Sequence, residues 1–143
     1  MVLDTSGVSR SAAVAAILRE FEGETQALFI KRAERPGDNW SGQMAFPGGH
    51  WEEGDEDLQR TAVRETHEEI GIDLEQHGRL LGHLDYIDLN PLGSDIEMII
   101  APYIYAVEEE LPDFSPNYEV ADVLWGSIHS MYYGRAHTSR EFD

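Results

Sequence analysis

Residues 64–72 read Arg-Glu-Thr-His-Glu-Glu-Ile-Gly-Ile, which sets the carboxylates of Glu65, Glu68 and Glu69 beside the guanidinium of Arg64. On a helix turning roughly 100° per residue, the three glutamates fan over about 100° of arc. The adjoining arc carries Ala62, Val63, Thr66 and Ile70, so the carboxylates border a buried stripe. Like charges at these spacings repel by a few tenths of a kcal/mol per pair, and a bound cation offsets that repulsion. Hard oxygen donors suit Mg²⁺ or Mn²⁺. The bland alternative is a solvated acidic helix face, the usual fate of such runs, and the triplet alone does not decide between them.

The wider string does more. Phe46-Pro47-Gly48-Gly49 is followed after six residues by Glu56 and after seven more by Arg64-Glu65-x-x-Glu68-Glu69-x-Gly71-Ile72. This resembles the Nudix box, G-x5-E-x7-R-E-U-x-E-E-x-G-U with U aliphatic, at too many fixed positions for chance. Two departures stand out. The Gly49-to-Glu56 spacing is one residue long, unless Asp55 fills the first acidic position, and Thr66 replaces an aliphatic residue. The extra residue falls in the loop from His50 to Asp55, where insertions are absorbed easily. Thr66 is β-branched and can still pack its methyl group.

The resemblance implies an α/β fold of the Nudix type, an α/β/α sandwich with a mixed sheet and a loop-helix-loop catalytic box. It also implies roles. Glu68 and Glu69 become the principal metal ligands, Glu65 a further ligand or the general base, and the backbone of Gly48 or Gly49 an additional oxygen donor. Arg64 orients the catalytic glutamate through a salt bridge, a reading preferred over a phosphate contact. Glu119, in Pro116-Asn117-Tyr118-Glu119-Val120, resembles a glutamate outside the box that supplies a base or ligand, with Glu97 and Asp122 as weaker substitutes. Arg32 and Arg35 are the candidates to counter substrate phosphate charge. Trp40, Trp51 and Tyr103 are candidates to stack on a base, set against ordinary packing. His50, His67 and His83 are scattered, and a carboxylate site does not require them.

The lead-in from Leu28 to Ala33 and from Gly42 to Gly49 is similar to that of coenzyme A pyrophosphatases within the Nudix family. Where those enzymes carry an arginine ahead of the loop glycine, this chain has Asp38. The expected activity is Mg²⁺- or Mn²⁺-dependent hydrolysis of a small-molecule diphosphate. Coenzyme A-like compounds lead narrowly, followed by nucleotide sugars, ADP-ribose and dinucleotides. A catalytically silent nucleotide- or protein-binding sensor is the alternative of another class. A purely structural acidic domain would leave the box spacing without a cause.

Composition narrows the field. The 143 residues fit one domain, and 28 acidic against 10 basic residues give a net charge of −18. That field opposes binding to nucleic acid and to anionic membranes. It also opposes phosphate substrates unless metal ions and local arginines reverse it. There is no cysteine, which excludes disulfides and thiolate metal sites and suits a reducing, cytoplasmic setting. No apolar run approaches the ~20 residues that span a bilayer. Ala12 to Leu18 is followed at once by Arg19, Glu20 and Glu22, so it reads as a strand and not a leader. A homodimer is an expectation that the family resemblance carries.

The elements that must position these residues follow from pattern. Ser11–Arg19 and Ala27–Arg32 form a hairpin around Glu22-Gly23-Glu24-Thr25, and Ala33 to Gln43 is a loop. Met44 to Phe46 is a short strand before a Gly48-Gly49 turn. A helix runs from about Asp57 to Ile70, N-capped by Asp55 and closed by Gly71. Arg79–Asp88 and Glu97–Val107 are strands, an acidic loop covers residues 108–117, and Val120–Trp125 is a last strand. A second helix begins at Ile128 to Tyr133.

Overall fold

The computed structural model describes residues 10–34, 36, 43–88, 98–108 and 110–128. Strand β1 (Arg10–Phe21) turns at Glu22-Gly23, both at positive φ, into the antiparallel β2 (Glu24–Arg32). Strands β3 (Met44–Ala45) and β4 (Gly48–His50) precede helices α1 (Leu58–Ile70) and α2 (Leu74–His77). Then come β5 (Arg79–His83), β6 (Ile87–Asp88), β7 (Met98–Ala106) and β8 (Val120–Ser127). Among the described residues they form one eight-stranded sheet ordered β3-β2-β1-β7-β5, with β4 on β1, β6 on β7 and β8 on β2. The β1–β7 pairing is parallel and the others are antiparallel, so the sheet is mixed and the fold is α/β.

Alternation along β1 buries Ser11, Ala13, Ala15 and Ile17 on one face. The alanines keep that face shallow, which lets α1 settle close to the sheet. Leu58, Thr61, Ala62, Thr66, Glu69 and Ile70 form the buried side of α1 at helical spacing. They pack with Leu28, Ile30, Ala101, Tyr103 and Tyr105 in the core. No described helix is long and apolar enough to cross a membrane.

Several expectations need correction. Gly48 and Gly49 lie in β4, paired with Val14 and Ala13, instead of making a turn. The reason is space: a Cβ on Gly48 would collide with Ala13 O and Val14 Cα of the neighbouring backbone. The helix N-cap is Asp57, whose carboxylate accepts the Arg60 N–H at 2.9 Å, because Asp55 is engaged elsewhere. Residues 84–86 interrupt the expected Arg79–Asp88 strand, and β5 carries a bulge opposite β7. Tyr103 is a buried core residue, which removes it as a base-stacking platform. Helix α2 was not anticipated, although Asp73 caps it through the Glu75 N–H. The helix expected over Ile128 to Tyr133 lies, after Ile128, outside the described residues.

Candidate active site

The site is built where β4, the C-terminal half of α1 and the turn before β8 meet. At the end of α1, Gly71 adopts φ 78° and returns its N–H to His67 O. A Cβ there would come within 2.9 Å of the Ser115 Cβ, so only glycine meets both demands. The last carbonyls of α1 are then satisfied from outside: Ser115 N–H donates to Ile70 O at 2.8 Å and Asn117 N–H to Glu69 O at 2.9 Å. These bonds fasten the irregular loop carrying Glu119 to the helix carrying Glu65 and Glu69. On its other side, Ala33 N–H donates to the Glu119 carbonyl at 2.9 Å, and Arg32 pairs in register with Val120. Glu119 and Arg32 are thus brought to the same corner as the box.

Glu69 lies inside the buried stripe of α1, deeper than its sequence position suggested, with only 2% of its surface exposed. Its Oε1 accepts the Gly48 N–H at 2.8 Å. Desolvation pushes its pKa up to about 8; the Gly48 hydrogen bond and the charge of Arg32 act against that rise, while Glu65 and Glu119 add to it. Glu65 is raised as well, first by desolvation and further by Glu68 and Glu119, despite its hydrogen bond from Arg64. Gly49 lets this pair approach the sheet, since a Cβ would collide with the Glu65 carboxylate. Glu65 and Glu119 thus stand near Glu69 as an acidic cluster whose charges act on the buried Glu69 carboxylate.

Arg64 faces the other way. Its Nε and Nη2 donate to the two oxygens of Asp55 at 2.9 and 3.0 Å, a bidentate pair. Its Nη1 reaches Glu65 at 2.9 Å and Glu68 at 3.2 Å, and Nη2 also donates to His50 O. Asp55 is buried and receives further bonds from the Glu52 N–H and the Thr61 hydroxyl. Burial alone would raise its pKa, but the Arg64, Glu52 and Thr61 hydrogen bonds outweigh it and hold Asp55 below its ordinary range. The same pairing, with Asp55 first, raises Arg64. Asp55, at the five-residue spacing from Gly49, is the acid that engages the box arginine; Glu56 is exposed. The additional residue accordingly falls between Asp55 and Arg64.

The structure thus brings Glu65, Glu69, Glu119, Gly49 and Arg32 together. It sets Glu68, 52% exposed, against Arg64 instead. Among the described residues, no three carboxylate or imidazole groups stand together at coordinating distance. Asp122 is exposed on β8, its carboxylate accepting the neighbouring Val123 N–H. Trp51 donates its Nε1–H to Asp55 O, bracing the box loop. Arg35, Asp38, Trp40 and Glu97 lie outside the described residues. The sequence reading missed Ser115 and Asn117, whose part is played mostly by backbone groups and leaves no charge pattern to find.

The donor chemistry fits a hard divalent cation. Burial and neighbouring negative charge disfavour the charged forms of Glu65 and Glu69, which such an ion would stabilise, and every side-chain donor in the cluster is a carboxylate oxygen.

Comparison with known proteins identifies the family. The profile of the NUDIX domain matches residues 9–142. The mitochondrial coenzyme A diphosphatase NUDT8 of Mus musculus is 31% identical over 120 residues, covering 82% of this chain and 54% of that protein. Its Homo sapiens counterpart is 39% identical over 62 residues, 43% of this chain and 26% of the relative. The chain therefore spans about half or less of the curated relatives it matches. Among solved structures, the Nudix hydrolase RenU of M. smegmatis superposes with a TM-score of 0.71 at 21% identity, covering 94% of this chain and 83% of that one. A C. elegans Ap4A hydrolase binary complex gives 0.70 at 20% identity, with 87% and 84% coverage. With its box, its fold and a family match over nearly its whole length, the chain belongs to the Nudix family.

Proposed function

We propose that this chain is a divalent-metal-dependent hydrolase of phosphoric anhydrides that cleaves the diphosphate of a nucleoside diphosphate linked to another moiety, with coenzyme A-like compounds as the first substrate class. The observation that carries the reading is the packing of Glu65 and Glu69 against the glycines of β4, with Glu69 bonded to the Gly48 N–H, the turn bearing Glu119 tied to the Glu69 carbonyl, and the bidentate pair of Arg64 taken by Asp55. Glu65, Glu69 and Glu119 would hold Mg²⁺ or Mn²⁺. Glu68, mostly exposed one helical turn away, would exchange Arg64 for the ion at little packing cost. When bound, such an ion neutralises phosphate oxygens and acidifies a water.

The protein groups supply the rest. Whichever of Glu65 and Glu119 is not committed to the metal accepts the proton of the attacking water. Arg64, locked by Asp55, fixes the orientation of Glu65 through its 2.9 Å hydrogen bond. Arg32 adds positive charge for the substrate diphosphate, and its influence on Glu69 marks it as near the cluster. The likeness to a coenzyme A diphosphatase over 82% of this chain favours that substrate class over nucleotide sugars, ADP-ribose and dinucleotides.

The test is a substrate panel with Mg²⁺ in ¹⁸O-labelled water, analysed by product mass. Coenzyme A or its 3′-dephosphorylated form is expected to be cleaved at the diphosphate, with one labelled phosphate product. Cleavage of ADP-ribose or a nucleotide sugar alone would move the substrate class. A folded, metal-binding protein inactive across the panel would favour a nucleotide-binding sensor.

A further inference from the structure

We infer that Asn117 is a positioning residue that sets the third carboxylate, Glu119, in register with Glu65 and Glu69. This rests on the hydrolase reading above and deepens it.

The turn that bears Glu119 has little packing to hold it. Ser115 and Pro116 are exposed, and Tyr118 is 75% exposed, so burial of apolar surface contributes little to fixing residues 115–119. Hydrogen bonds do that work, and they converge on Asn117. Its backbone N–H donates to the Glu69 carbonyl at 2.9 Å, tying it to the residue at the centre of the carboxylate cluster. Its side-chain Oδ1 accepts the Glu119 N–H at 2.9 Å, an Asx turn. Its own carbonyl accepts the Val120 N–H at 3.1 Å, which starts β8.

One residue therefore connects the helix end bearing Glu69 to the backbone of Glu119. The two backbone bonds survive any substitution that keeps the fold. Only the Oδ1 bond depends on the side chain, and it holds the N–H side of Glu119, while the Ala33 N–H holds its carbonyl from β2. Asparagine is also a residue whose short amide reaches a backbone N–H two positions on without disturbing the turn. Loss of Oδ1 leaves the turn attached to the helix and to Ala33 but frees the peptide between Tyr118 and Glu119, and displacement of a reacting group by about 1 Å is enough to cost catalysis heavily.

The experiment compares Asn117→Ala, Asn117→Asp, Glu119→Gln and the double variant Asn117→Ala/Glu119→Gln, using the substrate that the panel identifies. Backbone amide exchange is read alongside kinetics. Asn117→Ala should speed exchange at Glu119 while leaving the β7 amides protected, and should lower kcat by about tenfold with KM within about twofold. Asn117→Asp keeps the acceptor and should stay within about threefold of wild type in kcat. In the Glu119→Gln background, Asn117→Ala should add almost nothing, because both changes act through the same carboxylate. An equal loss on both backgrounds, or faster Glu119 exchange with unchanged kcat, overturns the inference. If Glu119→Gln alone keeps full activity, the assignment of Asn117 fails while the hydrolase reading stands; an inactive wild type defeats that reading itself.

Discussion

Two acidic groups flank helix α1 and are treated oppositely. On one side, Asp55, Glu52 and Glu68 gather round Arg64, and the buried Asp55 is held charged by a bidentate pair and two further hydrogen bonds. On the other, Glu69 and Glu119 face Glu65 with the Gly48 N–H as the close donor to Glu69, and Glu69 is pushed up to about 8. Glu65 stands between them, one oxygen on Arg64 and its carboxylate within the field of Glu119. The first arrangement is complete within the chain and gives shape. The second leaves Glu69 desolvated among neighbouring negative charges, and it is the side to which the proposed metal chemistry is assigned.

The largest effect should come from breaking the uncompensated side. Glu69→Gln is expected to lower kcat on the order of a hundredfold or more, the scale for removing transition-state charge stabilisation. Its fold should survive, since the glutamine side-chain carbonyl can still accept the Gly48 N–H. Steady-state kinetics together with a thermal melt of the metal-free protein measures both, and full turnover by the folded variant would refute the division of roles.

Breaking the compensated side should act mainly on stability. Asp55→Asn is expected to destabilise by about 2 kcal/mol, below the ~3–5 for a fully buried pair, because Arg64 keeps Glu65 and Glu68. Urea unfolding reads this directly. A loss below about 0.5 kcal/mol would place the pair among surface ion pairs of small worth.

A third effect is a difference in pH response that separates the two sides. Glu69 has a folded pKa raised from 4.5 to about 8, so the native state holds the proton longer than the unfolded chain. Metal-free stability should therefore be highest near pH 4.5 on this account and fall as pH rises towards 8. Asp55, lowered from 3.8, contributes stability that is present above that value and lost on further acidification. Melting the metal-free protein across this range should show the alkaline decline in wild type and not in Glu69→Gln. An identical decline in both would assign it to other groups.

Much of this was legible in the sequence, for definite reasons. The Arg64-Glu65-x-x-Glu68-Glu69 string fixes its own helix face, so the helix, its glycine end and the family resemblance follow from spacing. The apolar run Ala12–Leu18, closed at once by Arg19, Glu20 and Glu22, was enough to read β1. Glu119 was reachable because it is a charged residue in a recognisable context. What was not legible depends on partners distant in sequence. That Gly48-Gly49 is a strand follows from the closeness of Ala13 and Val14. The choice of Asp55 over Glu56 follows from the reach of Arg64 and Thr61, and the burial of Glu69 follows from β4 lying over it. Asn117 was invisible because two of its three hydrogen bonds come from its backbone and the partner of its Oδ1, the Glu119 N–H, carries no residue-type signal.

The account rests on where a divalent ion binds. Anomalous scattering from Mn²⁺-soaked crystals of the whole chain locates it without assuming a substrate. The predicted result is one dominant peak coordinated by carboxylate oxygens of Glu65, Glu69 and Glu119, at the ~2.0–2.2 Å typical of hard six-coordinate cations. A dominant peak on Glu52, Asp55 and Glu68 beside Arg64, with Glu69 still turned to the Gly48 N–H, would contradict it.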